Sequence, residues 1–403
     1  MKYNIWKDCR RVPLPELLDF IVDNRGKTVP TVNQNEACSV VLIATNCIRN
    51  ENLYPVYEKI RFISEDTYKT WFRSHPIPGD IIFVNKGTPG RVCLCPDIID
   101  FCIAQDMMAF RADSNKLYNK YLLAVLRSRM MQKQIRITSV GDTIPHFKKE
   151  FLKDLYIPVP PMEIQRIIGD YYYNLSQKIE LNKKINENLD QQAQAIFKSW
   201  FVDFEPFGGV MPDDWRTGSL SEICKYSKDK VNVGDLSLDT YYSTENMQPN
   251  RQGAVQASTL PSIKQTTACK KGDVLISNIR PYFKKILYCF ADCGCSTDVL
   301  CFVPNRIEYS AFLYCALYSD KFFDYMVSGS KGTKMPRGDK QQIMMYPIRI
   351  PSAAYIEKFN KAVLPMLETV YTNRLEADNL AMLRDTLLPK LMNGEIDVSE
   401  VQI

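Results

Sequence analysis

Two long stretches of this sequence carry apolar residues at steps of three and four, the spacing of one face of an α-helix. The first stretch follows a proline-rich segment at 158–161 and covers residues 162–200, and the second covers residues 356–387. Because proline is unfavourable inside a helix, Pro365 predicts a kink or a break in the second stretch. The pattern predicts two long helices, one in each half of the chain.

The first of these helices would be about 54 Å long at 1.5 Å per residue, which is more than one small domain needs. Residues 163–198 carry five basic and five acidic side chains, so the helix is neutral and unsuited to holding a nucleic acid by charge. We expect the two helices to pack on each other, in antiparallel orientation if the two halves are related by a two-fold axis. The alternative is that each helix covers only its own domain.

An internal repeat with an offset near 191 residues links the two halves. The strand-like sequence GDIIF at 79–83 matches GDVLI at 272–276, and each is followed by a basic turn that contains proline. Later segments keep an offset of 191, as in the match of residues 143–145 with residues 334–336. A constant offset through turns and a helix indicates duplicated domains, although two ordinary α/β domains can share the same order of strand, turn and helix.

These patterns predict an α+β protein. Two duplicated globular α/β domains are separated by two long helices that pair as an antiparallel coiled coil with pseudo-two-fold symmetry. The predicted limits are residues 1–157 for the first domain, 158–207 for the first helix, 208–347 for the second domain and 348–403 for the second helix.

Composition places the chain among ordinary globular proteins, with 45% hydrophobic residues, 24% charged residues and a net charge of only +5. It contains no apolar run long enough to cross a bilayer, and its first residues lack the apolar core of a signal peptide. We therefore expect a soluble, cytoplasmic protein without a membrane partner. In that compartment its 13 cysteines are expected to be reduced and mostly buried.

Motifs for catalysis are missing from the sequence. We find no phosphate-binding loop, no adenine methyltransferase motif of the Asn-Pro-Pro-Tyr type and no Gly-x-Gly cofactor loop. The two histidines, His75 and His146, lie outside any recognisable nucleophile motif. Asp106 and Asp298 occupy equivalent positions after a strand, where capping of a turn is favoured over catalysis or metal binding. We expect neither catalytic nor metal-binding residues, and the one-residue gaps between paired cysteines are unlike the spacing of structural zinc sites.

Four segments resemble the DNA specificity subunits of type I restriction–modification systems. They are IPVPPMEIQ at 157–165, KIELNKKIN at 178–186, WFVDFEP at 200–206 and LLPKLMNGEI at 387–396. The resemblance is specific in the helical regions and weak in the globular halves. It departs most after Pro351, where the second helix begins with a different sequence from the first.

The resemblance implies a subunit without catalytic activity. Each of two target recognition domains reads one half of a bipartite, asymmetric site in double-stranded DNA. The paired helices set the spacing and dock two methyltransferase subunits, which use S-adenosylmethionine, and restriction subunits that require Mg²⁺ and ATP can join. No cofactor is then expected on this chain itself.

Basic turns at repeated positions are the candidate DNA contacts, because base reading needs side-chain donors and acceptors beside cations on phosphates. Their alternative role is merely to keep the surface soluble. The candidate DNA-binding residues are Lys86, Arg91, Thr143, His146, Lys148, Arg280, Tyr282, Lys284, Lys285, Lys334 and Arg337. The residues expected to pair the helices and dock partners are Ile168, Leu175, Leu189, Phe197, Trp200, Val363, Leu380 and Leu387.

Two other functions compete with this interpretation. One is a stand-alone, metal-dependent DNA nuclease whose carboxylate site has no recognisable motif. The other is a protein scaffold that does not bind DNA. Cleavage of DNA by the isolated chain would favour the first, and the absence of salt-dependent DNA binding would favour the second.

Overall fold

The computed structural model describes residues 4–24, 26, 28–34, 39–141 and 143–396. The chain divides into two compact units, of which the first comprises residues 1–183 and 375–403 and the second comprises residues 184–374. Each unit thus contains one globular domain and one half of each long helix.

The elements are numbered in chain order. The helices are α1 (Ile5–Asp8), α2 (Glu65–Thr70), α3 (Asn119–Arg127), α4 (Arg129–Thr138), α5 (Met162–Phe201), α6 (Ser310–Tyr318), α7 (Asp320–Ser328), α8 (Lys340–Met344) and α9 (Ala353–Met392). The strands of the first unit are β1 (Arg11–Pro13), β2 (Leu18–Asp23), β3 (Ser39–Ile43), β4 (Arg61–Ser64), β5 (Ile81–Val84), β6 (Val92–Leu94), β7 (Phe101–Ile103), β8 (Met107–Ala112) and β9 (Tyr156–Pro158). The strands of the second unit are β10 (Arg216–Ser219), β11 (Cys224–Tyr226), β12 (Lys230–Asn232), β13 (Tyr241–Tyr242), β14 (Gln265–Cys269), β15 (Val274–Ser277), β16 (Ile286–Tyr288), β17 (Cys293–Cys295), β18 (Val299–Pro304) and β19 (Pro347–Ile350).

The first unit is built around an antiparallel sheet in the order β2-β8-β5-β6. Strand β5 is buried at every position, as its uninterrupted apolar sequence predicts. A second sheet, β4-β3-β7, pairs β3 with β7 in parallel, and β1 pairs with β9 beside the start of α5. Helix α3 packs six consecutive buried residues into the core, and α4 follows it directly.

The second unit repeats this plan. Its antiparallel sheet has the order β11-β18-β15-β16, with β15 buried at every position, and β10 pairs with β19. Helices α6 and α7 follow β18 as α3 and α4 follow β8, and both helices start 191 residues after their counterparts. The accessory sheet differs, because here it has four strands in the order β12-β14-β17-β13. The predicted duplication of α/β domains is confirmed.

The two long helices are equal in length, and both their first and their last residues are 191 positions apart. Helix α5 starts at Met162, directly after the proline pair, as predicted. Helix α9 runs through Pro365, so the predicted break is wrong. Pro365 is exposed, while Val363 and Leu367 on either side of it are anchored in the core of the second unit. Packing therefore keeps the helix intact although proline removes one backbone hydrogen bond.

In the first unit, the start of α5 packs against the end of α9. Ile168 and Tyr172 share the core with Leu388 and Met392. Further along, the Arg384 guanidinium donates to the Ser176 hydroxyl at 3.3 Å. Nearer the middle, the Asn182 amide donates to Glu376 at 2.7 Å. Residue numbers rise in one helix as they fall in the other, so this half of the pair is antiparallel.

In the second unit, the end of α5 packs against the start of α9. Phe359 is fully buried, and its ring lies 5.1 Å from that of Phe201 and 6.0 Å from that of Trp200. Towards the middle, the Asn373 amide donates to the Asn186 side chain at 2.9 Å, and Arg374 lies 3.8 Å from Asp190. This half is also antiparallel, so the predicted helix pairing is confirmed in each unit.

The middle of each helix contributes polar residues to the buried side, which the predicted apolar stripe does not include. Ser176, Asn182, Asn186 and Arg384 are all at most 8% exposed. Apolar residues of the predicted stripe instead face outward, namely Ile185, Leu375 and Leu383. Among the predicted pairing residues, Ile168 and Val363 are fully buried and the others, Leu175, Leu189, Phe197, Trp200, Leu380 and Leu387, are half-buried.

Candidate nucleic-acid interface

Two loops meet in the first unit at the end of β5. The first loop, residues 85–91, follows that strand, and the second, residues 140–148, follows α4. Asn85 holds them together, because its N–H donates to the Asp106 carbonyl at 3.0 Å and its carbonyl accepts from the Phe147 N–H at 2.7 Å. The Gly87 N–H donates to the Pro145 carbonyl at 2.9 Å. We call this joined pair the first loop cluster.

The second unit contains the same backbone arrangement at the end of β15. Its loops are residues 278–285 and 331–338, which form the second loop cluster. Asn278 takes the place of Asn85, since its N–H donates to the Asp298 carbonyl at 2.8 Å and its carbonyl accepts from Gly338 at 3.2 Å. The Arg280 N–H donates to the Pro336 carbonyl at 2.8 Å, as Gly87 does to Pro145. The sequence predicted both loops in each half, and the structure brings them together.

Buried asparagine side chains lie under both clusters. Asn85 is 1% exposed and Asn278 is 6% exposed, and within the described residues the Oδ1 of each has no hydrogen-bond partner. The hydrogen bonds that join the two loops of each cluster are formed by the backbone of Asn85 or Asn278. They therefore do not depend on which side chains the loops carry. The two clusters can therefore differ in chemistry without changing shape.

In the first cluster the predicted cations point into solvent. Lys86 and Arg91 are exposed and form no ion pair within the described part of the chain, and Thr143 of the second loop is exposed as well. Lys148 is exposed and lies 3.5 Å from Glu150. His146 is half-buried and pairs through its backbone with Val140, closing the second loop as a tight hairpin. The residue Asp142 of this loop lies outside the described residues.

In the second cluster the predicted residues are partly engaged with one another. The Arg280 guanidinium donates to the Lys334 carbonyl at 3.3 Å, joining the two loops, while the Lys334 side chain is exposed. Arg337 lies 3.1 Å from the Asp298 carboxylate, so that aspartate is an ion-pair partner in addition to a turn residue. Tyr282 is 47% exposed.

Two predicted DNA contacts in the second cluster are already bound within the protein. Lys284 donates to the Asp320 carboxylate at 2.6 Å, and Arg251 donates to the same oxygen at 2.5 Å. These two hydrogen bonds lower the pKa of Asp320 to about 2. Lys285 donates to the Thr244 carbonyl at 2.6 Å, and burial lowers the pKa of its ammonium group. These cations therefore shape the cluster and are less available to a ligand than Lys334.

The prediction of DNA contacts from basic residues missed an apolar residue at the tip of one loop in each cluster, residues 140–148 in the first and residues 331–338 in the second. Ile144 is 58% exposed and Met335 is 50% exposed. They lie 191 positions apart, and each precedes a proline and follows a glycine with positive φ, at Gly141 and Gly332. The repeat itself was the available signal, because exposed apolar side chains at equivalent tips are unexpected for loops that only connect helices and strands.

Cysteine and carboxylate groups give no second site. All described cysteines have free thiols, and all but the half-buried Cys9 are buried, as predicted. The described ranges contain no group of three histidine, cysteine, aspartate or glutamate side chains placed to hold a metal ion. None of the described helices has an apolar stretch long enough to cross a membrane.

Comparison with known proteins agrees with this architecture. A family model described as the type I restriction modification DNA specificity domain matches residues 12–191. The MjaIX type I restriction enzyme specificity subunit of Methanocaldococcus jannaschii is 26% identical over 319 residues, which cover 70% of this chain and 70% of that protein. The HindI specificity subunit of Haemophilus influenzae is 23% identical over 403 residues, covering 79% of this chain and 86% of that protein.

A solved structure shares the fold. The type I restriction–modification S subunit from M. genitalium aligns with a TM-score of 0.58 at 18% sequence identity, covering 97% of this chain and 98% of that chain. The helix-entry and closing segments of the sequence, the duplicated domains and the antiparallel helix pair in each unit all point to one family. Residues 12–191 match the DNA specificity domain of type I restriction–modification systems, and the chain is similar in sequence and fold to the specificity subunits of those systems.

Proposed function

We propose that this chain selects the DNA sequence for a type I restriction–modification complex, and that each loop cluster contacts one half of a bipartite, asymmetric site in double-stranded DNA. The observation that carries this proposal is the repeated loop cluster, in which one backbone frame presents two different sets of exposed side chains. In this proposal the recognition domains are residues 1–157 and 208–347, and the spacer helices are residues 158–207 and 348–403.

The chemistry of the clusters suits such a division of work. Exposed cations, among them Lys86, Arg91 and Lys334, neutralise phosphates and position the protein without reading the sequence. Thr143 and Tyr282 offer hydroxyl groups that can donate to or accept from base edges. A rigid backbone frame under these side chains fixes their spacing, so that reading a base costs little ordering entropy.

Methylation and cleavage belong, in this proposal, to other subunits. Two methyltransferase subunits dock on the chain and carry S-adenosylmethionine, and restriction subunits that use Mg²⁺ and ATP can join them in the cytoplasm. The chain itself binds no cofactor and performs no catalysis. Its role is to place the methyltransferases over the chosen bases.

The test is sequencing of methylated DNA. The chain is mixed with its methyltransferase subunit and S-adenosylmethionine, and a random DNA library is methylated and sequenced. We expect two short motifs at a fixed separation, and replacement of Lys86 by alanine should reduce the salt dependence of binding by about one phosphate contact. Methylation without a common motif would contradict the proposal, and so would cleavage of DNA by the isolated chain with Mg²⁺ alone.

A further inference from the structure

A hairpin at residues 246–255 lies beside the second loop cluster and has asparagine or glutamine at every second position from 246 to 252. We call it the amide hairpin. The Gln248 N–H donates to the Gly253 carbonyl at 2.7 Å, and the residues between these two form the tip. Asn250 and Arg251 in the tip both have positive φ, at 54° and 63°. The hairpin therefore ends in a tight turn of fixed shape.

The tip is bound through its backbone to residues 278–285, one of the two loops of the second cluster. The Asn250 N–H donates to the Phe283 carbonyl at 2.8 Å, and the Arg251 N–H donates to the Lys284 carbonyl at 3.0 Å. The Phe283 side chain is itself 38% exposed. The tip and the second loop cluster therefore present one continuous surface.

The one charged residue of the amide hairpin is engaged within the protein. The Arg251 guanidinium donates to the Tyr318 carbonyl at 2.8 Å and to the Asp320 carboxylate at 2.5 Å. These bonds fix the tip to the start of α7 and leave the Arg251 side chain only 17% exposed. A ligand at the tip therefore meets a surface without a free charge.

The four amide side chains of the hairpin fall into two pairs. The Asn246 amide donates to the Val255 carbonyl at 2.9 Å, and the Gln248 amide donates to the Asn246 carbonyl at 3.1 Å, so this pair closes the hairpin. Asn250 and Gln252 are exposed, and their side chains form no hydrogen bond with any residue that the structure describes. The tip thus holds two amides that are free to bind a ligand.

The corresponding segment of the first unit uses its amides internally. In each unit the accessory sheet has one parallel strand pair, β3 with β7 and β13 with β17, and the segment after the first strand of that pair runs to the loop cluster. In the first unit Asn50 accepts from the Val92 N–H at 2.9 Å, and Asn52 donates to Glu180 at 3.4 Å. The free pair of amides is therefore a feature of the second unit.

An amide side chain has a donor and an acceptor side by side. Adenine presents the complementary pair in the major groove of DNA, an acceptor at N7 and a donor at the N6 amino group. Amides also bind phosphates, but cations do so far more strongly, and the tip has no free cation. Because the backbone of the tip is already fixed, only the side chains lose freedom when they bind.

We propose that Asn250 and Gln252 determine specificity in the second recognition domain, each by binding the major-groove edge of an adenine. This inference rests on the proposed function, since it assigns base types to the half-site that the second loop cluster contacts. The half-site contacted by the first cluster receives no such contribution, because Asn50 and Asn52 are bound within their own unit.

The test exchanges the amides for carboxylates of the same shape. Asn250→Asp and Gln252→Glu replace the donor by a second acceptor, which suits the N4 amino group of cytosine. Each variant should lose about tenfold in preference for adenine at one position of one half-site and gain preference for cytosine there. Asn250→Gly keeps the positive φ and should lose the adenine preference without gaining another. Methylated DNA libraries are sequenced, using the full chain with its methyltransferase subunit.

Gln256→Ala is the matched control, because this amide directly follows the hairpin and is held by Asp239 at 2.9 Å. It should leave both half-sites unchanged, and thermal melting by circular dichroism checks that every variant is folded. If the unmodified chain gives a bipartite motif and the folded tip variants keep it, the assignment of the amides is wrong and the proposed function stands. Weakening at all positions alike, or loss of preference for a base other than adenine, would overturn the assignment too. Methylation without a common motif by the unmodified chain would overturn the proposed function as well.

Discussion

The two loop clusters share a backbone and differ in how their side chains are used. In the first cluster, Lys86 and Arg91 are free to meet a ligand, whereas in the second, Lys284 is bound to Asp320 and Arg280 joins the loops. Gly87 occupies the position with positive φ in the first cluster, and Arg280 occupies it in the second, with φ values of 82° and 50°. A frame made of backbone hydrogen bonds therefore tolerates different side chains, which suits a domain whose ligand preference varies while its fold stays constant.

The same contrast applies to the long helices. Ile168 on α5 and Phe359 on α9 stand 191 positions apart, and both are fully buried in their own units. The aliphatic residue packs with Tyr172 and Leu388, and the aromatic residue packs with Phe197 and Phe201. Equivalent positions thus fill differently shaped cores.

The largest expected effect comes from emptying these two positions. Phe359→Ala should destabilise the protein by about 3–5 kcal/mol and Ile168→Ala by about 2–5 kcal/mol, because each leaves a cavity in a close-packed core. Denaturant unfolding followed by circular dichroism measures both. Ile185→Ala is the control, since that side chain is 40% exposed and should cost less than about 0.5 kcal/mol. Equal losses in all three variants would show that the helix pair does not anchor the units.

Much of this architecture could be predicted from the sequence, because its signals are local. The proline pair sets the start of α5, and the repeat offset carries the same boundaries to α9. The residues on the buried face of each long helix were harder to predict. Ile185 and Asn186 are neighbours about 100° apart around the helix, and an apolar pattern alone cannot decide which one is buried. Packing against Asn373 decides it, and that contact is far away in the sequence.

The candidate site also combines features that the sequence predicts with features that depend on contacts between distant segments. Basic turns at repeated positions were visible in the sequence, but the internal contacts of Lys284 and Lys285 depend on Asp320 and on the Thr244 carbonyl, which lie in other segments. The apolar tips at Ile144 and Met335 carry no charge, so a pattern of repeated basic residues does not predict them. The repeat places both residues at equivalent positions in the sequence, but their exposure is seen only in the folded chain.

A pH dependence should distinguish the two halves of the helix pair. Burial raises the pKa of Asp190 to about 6, and the nearby Arg374 offsets part of that effect. The equivalent position in α9 is Ala381, so the first unit has no carboxyl group there. A carboxyl group whose pKa is higher in the folded than in the unfolded state favours folding when protonated, so this contribution is fully present below pH ~4 and is lost as pH rises through about 6.

Asp190→Asn tests this sign directly. The variant should be more stable than the unmodified protein at pH 8, by at most roughly 3 kcal/mol, and the difference should vanish near pH 4. Denaturant midpoints measured from pH 4 to pH 8 give the comparison. A variant that is less stable at pH 8 would mean that the ion pair with Arg374, at 3.8 Å, outweighs the cost of burying the carboxylate.

Making the second loop cluster resemble the first should alter only one half of the recognised site. Arg280→Gly installs the residue that the first cluster has at this position, keeps the positive φ and removes the link to the Lys334 carbonyl. We expect about a tenfold to hundredfold weaker preference in one half-site, corresponding to the cost of one lost bidentate base contact. Sequencing of methylated libraries measures both half-sites at once. Equal changes in the two halves would contradict the assignment of one cluster to each half.

The smallest expected effect belongs to the apolar tips. Ile144→Ala and Met335→Ala remove exposed side chains that contribute little to folding but can contact thymine methyl groups or the faces of bases. Each should weaken DNA binding about fivefold, or about 1 kcal/mol, while leaving the salt dependence unchanged, because no phosphate contact is lost. Lys334→Ala, beside Met335, is the matched control and should instead reduce the salt slope. Fluorescence anisotropy at several salt concentrations separates the two behaviours, and an apolar-tip variant that changed only the salt slope would show that the tip acts by positioning the neighbouring cation instead of touching the bases.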